Sequence, residues 1–159
     1  MTRARKAGDA AHLERKLEQK YDEIETNGTP KAILDWMYQV LDGKVDKIPG
    51  YSWEEIQLYL KSGVILCKLI NRLLQSEGKK TVDFNAKAKS TFIAMGNIQG
   101  FNDGAKDYGV PVTELFQSAD LYEGRKAQML NVINCLNKLG FVVSYWIILF
   151  YNFCNLKMY

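Results

Sequence analysis

Residues 53–75 constrain the fold of this chain more than any other stretch. In WEEIQLYLKSGVILCKLINRLLQ the spacing predicts one long helix. Apolar side chains cover much of its circumference, from Ile56, Leu58, Tyr59 and Leu60 through Val64, Ile65, Leu66 and Cys67 to Leu69, Ile70, Leu73 and Leu74. A surface helix shows a single apolar stripe. An arc this wide needs partners on several sides, so the helix is expected at the centre of the domain. Ser52 caps it, with Glu55 at the position that returns the bond. Gly63 inside it costs about 1 kcal/mol against alanine and marks either a close helix approach or a break.

The remaining pattern is helical throughout. Residues 9–25 form a polar helix with a thin apolar stripe at Leu13, Leu17, Tyr21 and Ile24. Thr29 is read as the N-cap of a helix over 30–42, with Pro30 as its first residue and Asp42-Gly43 as its end. Residues 76–90 read as a basic, polar loop. Helical spacing returns over 91–108 through Met95, Ile98, Phe101, Ala105 and Tyr108, although Gly96, Gly100 and Gly104 weaken it. Gly109 and Pro111 stop that helix. A short helical connection follows, with Thr113 as a cap, Leu115 and Phe116 as its apolar face, and Ser118 or Asp120 leading to Leu121 and Tyr122. The last core helix spans 125–139, with Gly140 as its C-cap. The whole is an all-α chain of 159 residues, long enough to bury about 70% of its unfolded surface without a staple.

The organisation expected is a polar helical extension over 1–28, a domain over 29–140 and an atypical tail over 141–159. The tail, FVVSYWIILFYNFCNLKMY, is out of character with the rest. Residues 139–156 hold no charge, which just reaches the length of a membrane span. Ser144, Asn152, Asn155 and the many aromatics count against a span, and the β-branched and aromatic content also suits a strand. An exposed adhesive segment, a membrane anchor and a non-native end left by a splicing or gene-prediction accident all stay open. Residues 1–20 are charged throughout, so no signal peptide is read there and the expected compartment is cytoplasmic. The three cysteines are widely spaced, with no zinc-ligand pair, and Cys67 and Cys135 read as reduced core residues.

Charge gives the only binding signal. The net charge of +3 is too small to point to nucleic acid. Residues 61–89, however, carry seven basic side chains against Glu77 and Asp83, a net of +5. Lys79, Lys80, Lys87 and Lys89 fall in the loop and are the candidate docking residues for an acidic macromolecular surface. Lys61, Lys68 and Arg72 fall in the central helix and reach the surface only by snorkelling. The alternative for the whole set is a solvated surface. No catalytic residue, metal set or cofactor loop emerges. His12 has no partner constellation, Asp120 and Glu123 suit capping roles, Trp36 and Trp53 suit core packing, and the glycines over 96–109 are not followed by Lys-Ser/Thr.

Three blocks resemble the calponin-homology domain as it occurs in calponin, transgelin and myophilin. They are LDWMYQVL at 34–41, YSWEEIQLYLKSGVILCKLINRLL at 51–74, and FIAMGNIQGFNDGAKDYGVPVTELFQSADLYEG at 92–124. KLEQKYDEIE at 16–25 is similar to the helix preceding the domain in single-copy members. The resemblance implies the calponin-homology fold, with four main helices and short connecting helices. It implies a non-enzymatic actin-cytoskeleton module without a cofactor, docking on F-actin or muscle thin filaments, and the charge pattern makes the loop lysines its candidate contacts. The alternative is an adaptor for signalling kinases or other cytoskeletal proteins, with little direct actin binding. Two departures stand out. The short Gly-rich C-terminal repeat of calponin and transgelin is replaced by the hydrophobic tail. Gly96 occupies a position where the family carries a charged residue.

Overall fold

The computed structural model describes the backbone of residues 2–156 and the side chains of residues 8–145 and Ile147. Seven α-helices follow one another among these residues. They are α1 (Thr2–Thr26), α2 (Thr29–Val40), α3 (Trp53–Leu60), α4 (Val64–Ser76), α5 (Thr91–Tyr108), α6 (Ser118–Tyr122) and α7 (Lys126–Leu156), with a 3-10 turn at Val112–Glu114 before α6. No strand occurs among the described residues. One hydrophobic core joins the helices.

The central apolar segment is two helices, not one. The chain breaks at Gly63, whose φ of +73° is left-handed and open to glycine at little cost. The break sends α4 away from α3 and lets Gly63 touch α5. A Cβ at Gly63 would lie 2.7 Å from Asn97 Cβ and 2.9 Å from the Ile98 nitrogen. Both readings of this glycine therefore hold at once. Beyond the break α4 buries Leu66, Cys67, Leu69, Ile70 and Leu74 completely. It packs most extensively on α5, which contributes Ile98, Phe101 and Ala105. Gly104 brings the two helices close, because a Cβ there would stand 3.0 Å from Ile70 Cγ1 and from Val82 Cγ1.

Local signals account for most helix ends. Glu55 N–H donates to Ser52 Oγ at 3.2 Å and Ser52 N–H donates to Glu55 Oε2 at 3.1 Å, which completes the capping box. Ser90 Oγ accepts from Ile93 N–H, and Gly109 closes α5. Asp120 Oδ2 accepts from the Gln117 N–H at the start of α6, a capping role. Two caps differ from the sequence reading. Gly28 occupies the N-cap of α2 and Thr29 is already helical. Pro111, not Thr113, precedes the 3-10 turn.

The larger difference is at Gly140. It does not cap the last helix; α7 runs through it to Leu156 without a break. Gly140 is absent from the positive-φ glycines of the chain, so it keeps the helical conformation. No proline follows, and one interior glycine costs only about 1 kcal/mol, which flanking turns offset. Ser144 Oγ also bonds back to the Gly140 carbonyl at 3.0 Å. Val142 and Val143 still pack on the core, whereas Phe141, Tyr145 and Ile147 are exposed. The strand-like composition thus yields to continuation of an existing helix. Among the described residues no helix is long and apolar enough to cross a membrane. Cys154, Asn152 and Asn155 lie outside the described side chains.

The polar helix α1 docks on α7. Tyr21 is fully buried, and Leu17 and Ile24 pack on the core, but Leu13 stays exposed. Lys126 pairs with Asp22, and Arg125 with Glu14 at 3.7 Å. Trp36 and Trp53 both pack against the core as half-buried side chains.

Gly96 offers a direct test of helix propensity. It lies exposed inside α5, with nothing within 4 Å of a Cβ built there. Gly96→Ala is expected to raise stability by about 1 kcal/mol, through propensity and a less disordered unfolded chain. A urea melt with an unchanged or lowered midpoint would show that this glycine serves a contact rather than merely weakening the helix.

Candidate docking surface

Residues 77–90 form no helix or strand, yet two amides fix their path. Asn71 on α4 accepts from Val82 N–H at 2.8 Å and donates to Val82 O at 2.9 Å. Asn97 on α5 accepts from Asn85 N–H at 2.9 Å and donates Nδ2–H to Asn85 O at 2.9 Å and to Ser62 O at 3.0 Å. Asn97 thus joins three segments: the break between α3 and α4, the loop, and α5. Its own carbonyl accepts from Cys67 Sγ at 3.0 Å. Val82 and Phe84 set apolar feet on the core. The basic loop is therefore pinned, not a loose polar tether. These amides were in the sequence without a signal of their role, because a buried Asn inside a helix looks like any polar residue until its loop partner is placed.

The structure does not bring the four loop lysines together. Lys79 sits at the C-terminal end of α5. Its Nζ donates to Asp107 O at 3.2 Å, pairs with Glu77 at 3.0 Å and lies 5.6 Å from the centre of the Tyr108 ring. Burial, reinforced by Glu77, pushes the Tyr108 hydroxyl up to about 12. Lys87 and Lys89 stand at the other end, beside the Ser90 cap of α5. The 18 residues of α5 separate the two ends by about 27 Å at 1.5 Å per residue. Lys80, Lys87 and Lys89 are exposed.

A second basic group lies across α3 and α4. Lys68 and Arg72 do not snorkel from a buried helix; they occupy the exposed face of α4, one turn apart. Arg72 pairs with Asp42 at 2.9 Å. Lys61 lies with its Nζ 4.6 Å from the centre of the Tyr122 ring. Lys44 joins them from the loop before α3, and Lys89 from the loop before α5. Lys44 escaped the sequence reading because it stands in a stretch, residues 31–60, with more acidic than basic side chains. Clefts of about 680 Å³ and about 550 Å³ meet at Leu58, Ser62 and Ala88, with Lys44 and Lys68 lining the first and Lys61 and Lys89 the second.

The remaining chemistry is quiet. Among the described residues no group of three or more His, Cys, Asp or Glu is placed to hold a metal ion. Burial pushes the Cys67 and Cys135 thiols up to about 12, which disfavours a nucleophilic thiolate at either. His12 is exposed.

Residues 27–140 match the family model for the calponin homology (CH) domain. The chain is 36% identical over 134 residues to myophilin of Echinococcus granulosus, covering 84% of this chain and 63% of that protein. It is 34% identical over 129 residues to muscle-specific protein 20 of Drosophila melanogaster, covering 80% of this chain and 64% of that protein. The chain spans slightly less than two thirds of the length of these curated relatives. With an all-helical fold, a family-model match over most of the chain and relatives at about 35% identity in agreement, the chain belongs to the calponin homology domain family, in the group of calponin, transgelin and myophilin.

Proposed function

We propose that this chain is a non-enzymatic, cytoplasmic module of the actin cytoskeleton that docks on actin filaments or muscle thin filaments. The observation that carries the reading is a calponin homology domain whose basic loop is held in a fixed shape. An actin filament presents an acidic surface, so exposed lysines on a preformed loop steer the encounter and add modest affinity. Lys80, Lys87 and Lys89 are the docking lysines, with Lys79 split between that role and closing the end of α5. The name of one relative, muscle-specific protein 20, supports a muscle setting.

High-speed cosedimentation of the full chain with filamentous actin, at low and moderate salt, tests this. Saturable pelleting that weakens with salt is expected. Reversing Lys80, Lys87 and Lys89 together to glutamate should weaken it about tenfold, corresponding to roughly 0.5 kcal/mol per exposed charge. Absence of pelleting at low salt would remove the filament reading. An adaptor that presents the same surface to a signalling kinase or another regulator would then take its place.

A further inference from the structure

We propose that the cleft between α3–α4 and the two loops facing them docks an acidic polypeptide segment carrying a large apolar side chain. Three observations converge on this occupant. The first is charge. Lys44, Lys61, Lys68 and Lys89 line the joined clefts against Asp46, four cations to one carboxylate. Beside the clefts Arg72 and Asp42 pair with each other and leave that balance unchanged.

The second is the floor. Leu58 is 68% exposed at the point where the clefts meet, with Val64 and Ile65 continuing the apolar surface beside Lys68. A side chain laid over it from a partner would remove both apolar surfaces from water. A nucleic acid or a lipid headgroup supplies anionic groups for the lysines but no aliphatic side chain between them. An acidic peptide supplies both, and alternating contacts of this kind fix register as well as sign.

The third is rigidity. Tyr51 Oη donates to Asp35 Oδ1 at 2.6 Å, and Tyr59 Oη donates to the Asp46 carbonyl at 2.7 Å, which holds the wall that carries Lys44. Asn97 holds the opposite wall through Asn85. A cleft with both walls fixed has little ordering cost of its own when a segment docks.

The test uses the full chain and a fluorescein-labelled decapeptide of glutamate and aspartate with one central leucine, read by polarisation at low salt. Saturable binding is expected. Lys44→Glu with Lys68→Glu should weaken it about tenfold, and Leu58→Ser several-fold. The same charge change made on α1, Lys16→Glu with Lys20→Glu, should leave affinity within about twofold. Equal weakening by the α1 pair would overturn the site, since the attraction would then follow net charge alone. No effect of Leu58→Ser, or no preference for the leucine peptide over one with central serine, would overturn the apolar anchor. Tighter binding to phosphatidylserine vesicles than to the peptide, abolished by Lys44→Glu with Lys68→Glu, would reassign the cleft to a lipid surface. None of these variants touches Lys80, Lys87 or Lys89, so failure here leaves the filament reading standing.

Discussion

Gly63→Ala is expected to destabilise the domain by about 4 kcal/mol. Two costs add. An alanine held in the left-handed region costs about 1–2 kcal/mol. Its Cβ then stands 2.7 Å from Asn97 Cβ and 2.9 Å from the Ile98 nitrogen. One of those neighbours is backbone and the other the stem of a bonded side chain, so neither yields easily, and overpacking of this kind costs about 1–3 kcal/mol. For a chain of this size each kcal/mol lowers the melting temperature by about 2–4 °C, so a fall of roughly 12 °C is expected. Urea unfolding should show a lower midpoint with an unchanged slope. A loss below about 1 kcal/mol would mean that α3 and α4 can separate from α5 here at little cost.

Asn97→Ala is expected to cost about 3–4 kcal/mol, and its signature is local as well as global. The substitution removes the acceptor for Asn85 N–H and the donor for the Asn85 and Ser62 carbonyls. Partly buried groups left unpaired cost about 1–3 kcal/mol each, reduced where water reaches them. The Asn85 amide should therefore exchange its hydrogen much faster, while the Val82 amide, held separately by Asn71, should change far less. Asn97→Asp keeps the acceptor but sets a buried carboxylate oxygen against the Asn85 and Ser62 carbonyls, so it should cost at least as much as alanine. Equal loss of protection at Val82 and Asn85 would show that the loop opens as one unit rather than pin by pin. Because Gly63 and Asn97 touch, their effects should not add in the double variant.

Much of this fold was legible in the chain, and the failures share a cause. The capping box at Ser52 and Glu55, the extent of α5 and the stop at Gly109 follow from residues within a few positions of one another. The division at Gly63 was only half visible, since a glycine in a helical pattern announces either contact or rupture and the sequence does not say which. Gly140 misled because C-capping depends on what the next turns do, and the turns after it had an existing helix to join. The loop lysines were legible as charges but not as a surface: proximity in sequence placed Lys79 and Lys89 together, and α5 puts its own length between them. Lys44 was hidden for the converse reason, being near Lys68 only in space. Asn71 and Asn97 are the residues that decide the loop's shape. Their role exists only once a strand of loop backbone lies beside them.

The way that loop is pinned separates two properties that usually vary together. Its shape rests on carboxamides and peptide groups, which carry no net charge and do not titrate. What it displays is ammonium groups, whose reach shrinks from about 30 Å to about 8 Å between 0.01 M and physiological ionic strength. Salt can therefore turn down the volume of the signal without bending the antenna. A partner arriving in concentrated or dilute surroundings meets the same contour, and only the distance from which it is drawn in differs.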